Sequence, residues 1–248
     1  MNELNLNKPS TNEGEKRPFS FKLILLNIVV FFVPILLVVT LVLTSIFVSR
    51  DGYYFAQIDK FRNIWHNSAN NVTEIKQENP DFSGWINSDV ENFDFPIFNS
   101  GYKNCSFYID ENCNPENSQN LILHTPEKIN KELNASVLAF KDVNFFNRHP
   151  SLDINTDYDK GTYVVFASYY ANSTDFDTYN FHTLDEKALA ESLEKLVKLS
   201  FLNPDVNVKN DDDFLTIIQK EKDEEFVVLA RKLRKGEEIV FSSGKTKK

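Results

Sequence analysis

The apolar residues of this chain are concentrated in one N-terminal segment, and the rest of the chain has a mixed pattern. Residues 23–48 read LILLNIVVFFVPILLVVTLVLTSIFV and contain no charged side chain. An uncharged apolar run longer than about 18 residues is typical of a helix that crosses a membrane. Cations are more frequent before this run than directly after it, which favours a cytoplasmic N-terminus. We therefore predict a single-pass signal anchor that places the C-terminal domain outside the cell.

Two other interpretations of this apolar run are open. One is a helix buried in the core of a soluble protein. The other is a cleaved signal peptide, whose apolar region is about 7–15 residues long and ends in a small-residue cleavage site. The present run is longer and continues into SIFVSR, so an uncleaved anchor is favoured. Residues 1–22 are polar and contain two prolines, which predicts a disordered cytoplasmic tail.

After the anchor, apolar residues first recur at helical spacing. Ile58, Phe61 and Trp65 are three or four positions apart, and Pro80 marks the end of the helical region. We therefore predict an N-terminal helical extension over residues 51–80.

Residues 81–240 contain short apolar and β-branched runs separated by polar, turn-rich stretches. The runs cover residues 95–99, 107–110, 121–124, 162–170, 214–218 and 226–232. Helical spacing returns over residues 185–199, and residues 142–149 are a candidate for a short third helix. The pattern predicts a mostly β domain, an antiparallel barrel or sandwich with peripheral helices. The Lys-rich residues 241–248 are predicted to be a basic disordered tail.

The charge and the cysteine content exclude several classes of function. The formal net charge is -9, whereas binding of nucleic-acid phosphates needs clustered cations, so no nucleic acid is expected as a partner. Two cysteines cannot build a disulfide scaffold or a four-thiolate zinc site. The histidines show no ligand spacing with cysteines or acids, and the sequence predicts no metal site and no cofactor.

Several short segments occur in an order that resembles one known family. They are GWI at 84–86, FPIF at 95–98, SFYID at 106–110, LILH at 121–124, FFNRHP at 145–150, GTY at 161–163, FASYY at 166–170 and FVVLAR at 226–231. In this order they resemble class B sortases, the membrane-anchored cysteine transpeptidases of Gram-positive bacteria that attach proteins to the cell wall. The resemblance implies a sortase-like closed β-barrel that follows a helical extension and a single transmembrane helix.

The resemblance also assigns catalytic positions. The family uses a cysteine thiolate that attacks a sorting-motif carbonyl, a histidine acid–base and an arginine that stabilises the oxyanion. His124 and Arg231 take the second and third positions. LTIIQK at 215–220 corresponds to the family's Leu-Thr-Leu-Ser-Thr-Cys, so Lys220 replaces the cysteine. A lysine, with a pKa of about 10.4, is mostly protonated near neutral pH. The resemblance therefore implies a non-catalytic relative in which His124 and Arg231 are vestigial.

The expected function follows from the replacement of the family's cysteine by Lys220. A groove lined by His124, Lys220 and Arg231 would bind a sorting-signal peptide, a cell-surface protein or a pilus protein without cleaving it. One alternative is an active sortase that uses a displaced nucleophile such as Cys105. Another is a purely structural membrane-anchored domain with a closed groove. Cys105 and Cys113 are expected outside the cytoplasm, where they either form a disulfide or remain free.

Overall fold

The computed structural model describes residues 21–89, 93–99, 106–126, 131–171, 176–202 and 205–239. The predicted tail at 1–22 lies outside the described residues as far as residue 20, and the tail at 241–248 does so entirely. The chain divides into two compact units, residues 1–50 and 51–248.

The first unit contains the apolar part of helix α1, which spans Phe21–Asn67 and includes Pro34. Within it, Ile28–Ile46 has a mean hydropathy of 2.8 and buries none of its residues inside the protein. The hydroxyl of Thr44 donates to the carbonyl of Thr40 at 2.9 Å, so this polar side chain is satisfied within the helix. By length and composition this segment can cross a membrane, which agrees with the predicted anchor.

The second unit is built around a closed eight-stranded β-barrel. Its strands are β1 (Phe82–Asn87), β2 (Asp94–Phe98), β3 (Phe107–Ile109), β4 (Asn120–His124), β5 (Ser151–Thr156), β6 (Lys160–Tyr170), β7 (Phe214–Glu221) and β8 (Glu224–Lys232). Around the barrel they follow the order β1-β2-β3-β4-β7-β8-β6-β5. The pairs β2–β3 and β4–β7 are parallel, and the other pairs are antiparallel.

Helices surround this barrel. They are the end of α1, α2 (Asn71–Glu78), α3 (Lys131–Leu138), α4 (Val143–Arg148) and α5 (Glu186–Leu199), with short 3₁₀ turns at Ala139–Lys141 and Phe181–Thr183. Trp65 of α1 stacks on Trp85 of β1 with ring centroids 5.0 Å apart. The indole N–H of Trp85 donates to Asp94 at 2.6 Å, which ties the helix contact to the β1–β2 pair.

Two apolar clusters pack against opposite faces of β4, β7 and β8. One contains Leu123, Ile217 and Val228 and fills the barrel interior. The other contains Ile122, Ile218 and Val227 together with residues of α5, so it covers the outer face. The alternation of strand side chains explains this division, because neighbouring residues point to opposite faces.

The predicted mostly β fold with peripheral helices is confirmed, and all six predicted strands are present. The helix predicted at 185–199 is α5, whose first turn is capped by the Asp185 side chain accepting from the Ala188 N–H at 2.8 Å. The apolar runs of the sequence pattern missed β1, β5 and α3. β5 was missed because SLDINT has only two apolar residues, Leu152 and Ile154, and both are buried.

Position 84 requires a glycine because the backbones of β1 and β5 come close together there. A Cβ at this position would lie 2.6 Å from both the Asn155 carbonyl oxygen and the Thr156 Cα, and these backbone atoms are fixed by the β1–β5 ladder. At Gly52, by contrast, a Cβ would meet no atom within 4 Å.

We predict that Gly84→Ala destabilises the barrel by about 1–3 kcal/mol, the usual cost of overpacking a well-filled core. Urea unfolding of the full-length protein in detergent, followed by tryptophan fluorescence, measures this change. Gly52→Ala is the matched control and should leave the barrel transition unchanged. Equal midpoints for the wild type and Gly84→Ala would contradict the close approach of β1 to β5.

Candidate functional site

His124, the last residue of β4, forms a dyad with Asp110. Its Nε2 lies 2.7 Å from the Asp110 Oδ2, and both side chains are largely buried, with 18% and 13% of their surface exposed. The ring also stacks on Tyr108 of β3, with centroids 5.3 Å apart and planes 17° apart. The position follows from the β3–β4 pair, in which Tyr108 directly opposes His124.

The carboxylate of Asp110 is stabilised in its charged form. Burial by itself raises its pKa, but hydrogen bonds from the Asn112 backbone N–H and from His124 outweigh burial, so the pKa is lower than usual. With an ionised Asp110, the neutral tautomer of His124 donates from Nε2 and leaves its lone pair on Nδ1. The contact with Asp110 therefore fixes the orientation of the ring and leaves Nδ1 as the ring nitrogen that does not contact this carboxylate.

Lys220 lies on the same face of the sheet as His124. His124 opposes Ile218 in the parallel β4–β7 pair, and Lys220 is two residues further along β7. Opposed residues, and residues two apart on one strand, share a face of the sheet. The Lys220 side chain is exposed. It lies on the outer face of β7, two residues beyond Ile218, which belongs to the outer apolar cluster.

The residue opposite Lys220 across the β7–β8 pair is Glu225. It occupies the same face, beside Val227, and is half-buried. Glu225 is therefore the cross-strand neighbour of Lys220, one residue pair before the end of the β7–β8 ladder.

Tyr179, from the segment between β6 and β7, is close enough to Glu225 and Asp110 for their carboxylates to act on its phenol. Burial raises the pKa of Tyr179 to about 12, and these two carboxylates also act to raise it. The segment is held down by a buried hydrogen bond of 2.6 Å between the hydroxyls of Tyr169 and Thr178. Tyr179 keeps 37% of its surface exposed, so it stands at the edge of the site as a neutral phenol.

The structure does not bring Arg231 to this site, which corrects the predicted groove of three residues. Arg231 opposes Phe214, four residues before Ile218 on β7. A strand rises about 3.3 Å per residue, so Arg231 is about 13 Å from the His124 level of the sheet. The physical reason is the antiparallel turn, because later residues of β8 lie progressively farther from Lys220.

Arg231 instead belongs to a buried ionic group at the other end of these strands. It is 2% exposed, and its Nη1 donates to Glu237 at 2.8 Å. Asp212 lies 4.0 Å from its Nε and accepts two hydrogen bonds from Arg234. Arg231 therefore pairs with Glu237 of this chain's own C-terminal segment and lies near Asp212, which precedes β7.

The structure describes one of the two cysteines, Cys113. Cys113 carries a free thiol, 3.4 Å from the carbonyl of Asn120, and burial raises its pKa. Asn120 lies four residues before His124 on β4, a separation of about 13 Å along a strand. Cys105 lies outside the described residues, and so does the considered Cys105–Cys113 bridge.

The residues described here are the Asp110–His124 acid–base pair, one further carboxylate (Glu225), two phenols (Tyr108 and Tyr179) and one exposed ammonium (Lys220). The dyad can move a proton or accept a hydrogen bond, and the phenols offer aromatic faces. The part of the chain that the structure describes holds no group of three or more His, Cys, Asp and Glu residues arranged for a metal.

Sequence reasoning missed four residues of this site: Tyr108, Asp110, Tyr179 and Glu225. The motif SFYID at 106–110 already contained two of them, and an antiparallel hairpin to LILH would have placed them beside His124. No signal marked Tyr179, because its position depends on how the long β6–β7 segment folds back over the sheet.

Comparison with solved structures identifies the fold. Sortase B from Bacillus anthracis has a TM-score of 0.61 and 20% identity, covering 75% of this chain and 99% of that chain. A Staphylococcus aureus sortase B–substrate complex has a TM-score of 0.60 and 18% identity, covering 76% and 100%. A mutant form of Clostridium perfringens sortase B gives 0.58 and 22%, covering 71% and 97%.

The protein therefore has a class B sortase-like fold, as the order of its motifs predicted. No protein-family model and no curated protein matches the sequence. The likeness lies in the three-dimensional arrangement of the barrel.

We predict that Asp110→Asn lowers the free energy of unfolding near neutral pH by about 1.5–3 kcal/mol, the usual net contribution of a hydrogen bond to a charged group. Because the folded-state pKa of Asp110 is depressed, its contribution is present above the unfolded pKa of about 3.9 and is lost as the pH falls through the folded value. The difference between the variant and the wild type should therefore shrink at about pH 2.

Urea unfolding at the two pH values measures this effect. Asp205→Asn removes an exposed carboxylate elsewhere and should change stability little at either pH. A destabilisation by Asp110→Asn that is the same at both pH values would show that the loss is not one of charge.

Proposed function

We propose that this protein is a membrane-anchored, extracytoplasmic sortase-like protein that binds a peptide segment without forming a covalent intermediate. The observation that carries the proposal is the position of Lys220. It lies on the His124 face of the sheet, two residues past the partner of His124, at the place that the motif resemblance assigns to the nucleophilic cysteine.

A lysine ammonium at the cysteine position cannot carry out the covalent step of the sortase family. A protonated lysine cannot attack a carbonyl, and a neutral lysine would form an amide that does not turn over as a thioester does. The arginine required for an oxyanion is also missing from this end of the sheet, because Arg231 pairs with Phe214 and Glu237. Both departures favour binding over catalysis.

A bound peptide is the partner that suits the fold. One solved structure with this fold is described as a sortase B–substrate complex, and another as sortase B complexed with triglycine. By analogy we propose that the face around His124 receives an extended segment of a sorting signal, a surface protein or a pilus protein.

The proposed organisation follows the sequence analysis. A cytoplasmic tail at 1–22 precedes an anchor at 23–48, a helical extension at 51–80 and a barrel domain at 81–240, with a basic tail at 241–248. In this arrangement the barrel lies on the outer surface of the membrane of a Gram-positive cell.

We predict that the full-length protein in detergent binds fluorescein-labelled Gram-positive sorting-signal peptides but gives no transpeptidation product with triglycine as the acceptor. Fluorescence anisotropy measures binding, and mass spectrometry measures product. Product that disappears in His124→Ala would overturn the proposal, and product that disappears in Cys105→Ala would identify the displaced nucleophile.

We also predict that Lys220→Cys becomes covalently labelled by a sorting-signal peptide that carries a thiol-directed warhead. The new thiol would stand beside the dyad, whereas the wild type offers only its two native cysteines. Glu224→Cys, at the exposed first residue of β8, is the control for labelling that depends on accessibility alone. Equal labelling of the two variants would contradict the placement of Lys220 in a peptide site.

A further inference from the structure

The barrel has a polar cavity at the end opposite to His124. Its volume is about 190 Å³, and its walls come from the β3–β4 connection, the β5–β6 turn and the residues directly before β4 and β7. Gln119, which lines it, lies five residues before His124, a separation of about 16 Å along an extended chain. The cavity is therefore separate from the face that carries His124 and Lys220.

The strand pairing brings the walls of this cavity together. The Phe214 N–H donates to the Gln119 carbonyl at 2.7 Å, and the Lys232 N–H donates to the Asp213 carbonyl at 2.8 Å. Lys232 opposes Tyr163 in the β6–β8 pair. The starts of β4, β6 and β7 and the end of β8 thus meet at one level of the barrel, and the cavity opens there.

One ammonium group of the protein is already bound at the wall of this cavity. The Nζ of Lys232 donates to the carboxylate of Asp159 and lies 3.9 Å from the Oδ2 of Asp213. The aliphatic chain of Lys232 lies against Gly161, where a Cβ would meet its Cε at 2.8 Å. The buried hydroxyl of Tyr163 also donates to Asp159. This wall is therefore built to hold an ammonium group between carboxylates.

The rest of the lining can hold a further cation. Among the described residues that line the cavity, Glu116, Asp159 and Asp213 are carboxylates, and none is a lysine, an arginine or a histidine. Glu116 and Asp213 are exposed, and the distance from Asp213 to Lys232 is longer than a hydrogen bond. Ionised carboxylates accept hydrogen bonds and donate none, so a ligand here has to supply donors.

An aromatic ring borders the opening. Tyr158, on the β5–β6 turn, lines the cavity and keeps 44% of its surface exposed. The turn is held by the Thr156 hydroxyl, which accepts from the Asp159 N–H at 2.9 Å. The face of such a ring attracts a cation. Because drug-sized ligands occupy cavities of about 300–1,000 Å³, a cavity of this volume suits a small ligand or a single side chain.

We propose that this barrel-end cavity is a second binding site, and that it takes a small ligand with an aliphatic primary ammonium group. The ammonium would donate to the carboxylates of Glu116 and Asp213, and the ring of Tyr158 would cover the aliphatic chain. This site goes beyond the proposed peptide-binding function, because it shares no residue with the face around His124.

The test uses three small probes of equal chain length, which are cadaverine, 1,5-pentanediol and glutarate. Ligand-observed NMR titrations with the full-length protein in neutral detergent give their dissociation constants. We expect cadaverine to bind at least about tenfold more tightly than the diol, and glutarate to bind most weakly. A fourth probe, Nα-acetyl-lysine N-methylamide, distinguishes the source of the amine: binding like that of cadaverine assigns the site to a lysine side chain, and markedly weaker binding assigns it to a free amine.

Matched variants distinguish this cavity from general attraction to an acidic protein. Asp213→Asn should weaken cadaverine binding about fivefold or more. Asp211→Asn, the same charge change at an exposed position two residues away, should change it less than about twofold. Tyr158→Phe should retain most of the affinity, whereas Tyr158→Ala should lose about fivefold. Far-ultraviolet circular dichroism confirms that each variant is folded.

Two outcomes would overturn the proposal. Equal losses in Asp213→Asn and Asp211→Asn would show attraction to net charge alone. Equal binding of cadaverine and 1,5-pentanediol would show that the cavity does not select an ammonium group. Neither outcome bears on the sorting-signal peptides, whose binding is measured separately, so failure of this site and failure of the proposed function are distinguishable.

Discussion

The parallel pairing of β4 with β7 is the constraint on which the site depends. It joins strands about ninety residues apart in the chain, and its register is fixed at both ends. At one end the buried Thr216 hydroxyl donates to the Asn120 side chain at 2.8 Å, and at the other the Thr125 N–H donates to the Ile218 carbonyl at 3.0 Å. A slip by one residue would move Lys220 to the barrel interior, where its charge would be unpaired.

Strands β4, β7 and β8 carry charged side chains at both ends, and the two groups differ in how deeply they are buried. At the end near Phe214, Arg231 is buried and its hydrogen bond lowers the pKa of Glu237 to about 2, so the C-terminal segment is held against the barrel by charge. At the end near His124, Lys220 is exposed, Glu225 is half-buried, and His124 and Asp110 are largely buried. Burial therefore distinguishes the ionic group around Arg231 from the charged side chains around His124.

The sequence predicted the architecture better than the site. Apolar alternation marked the central strands, because residues such as Ile217 and Ile218 are buried on both faces of β7. The prediction that Arg231 belongs to the site was wrong, because a motif matched by residue type does not show at which end of an antiparallel strand pair a side chain lies. The prediction omitted Glu225 and Tyr179, because cross-strand partners and returning loops are known only after the strands are paired.

In the neutral form of His124, the hydrogen bond from Nε2 to Asp110 also determines which chemical groups the ring can distinguish. A neutral imidazole whose only N–H proton is donated to a carboxylate has a single lone pair left for visitors. Backbone carbonyls, which offer lone pairs of their own, gain nothing from such a neighbour, whereas amides and amines do. The orientation of the His124 ring thus favours hydrogen-bond donors over acceptors as its neighbours.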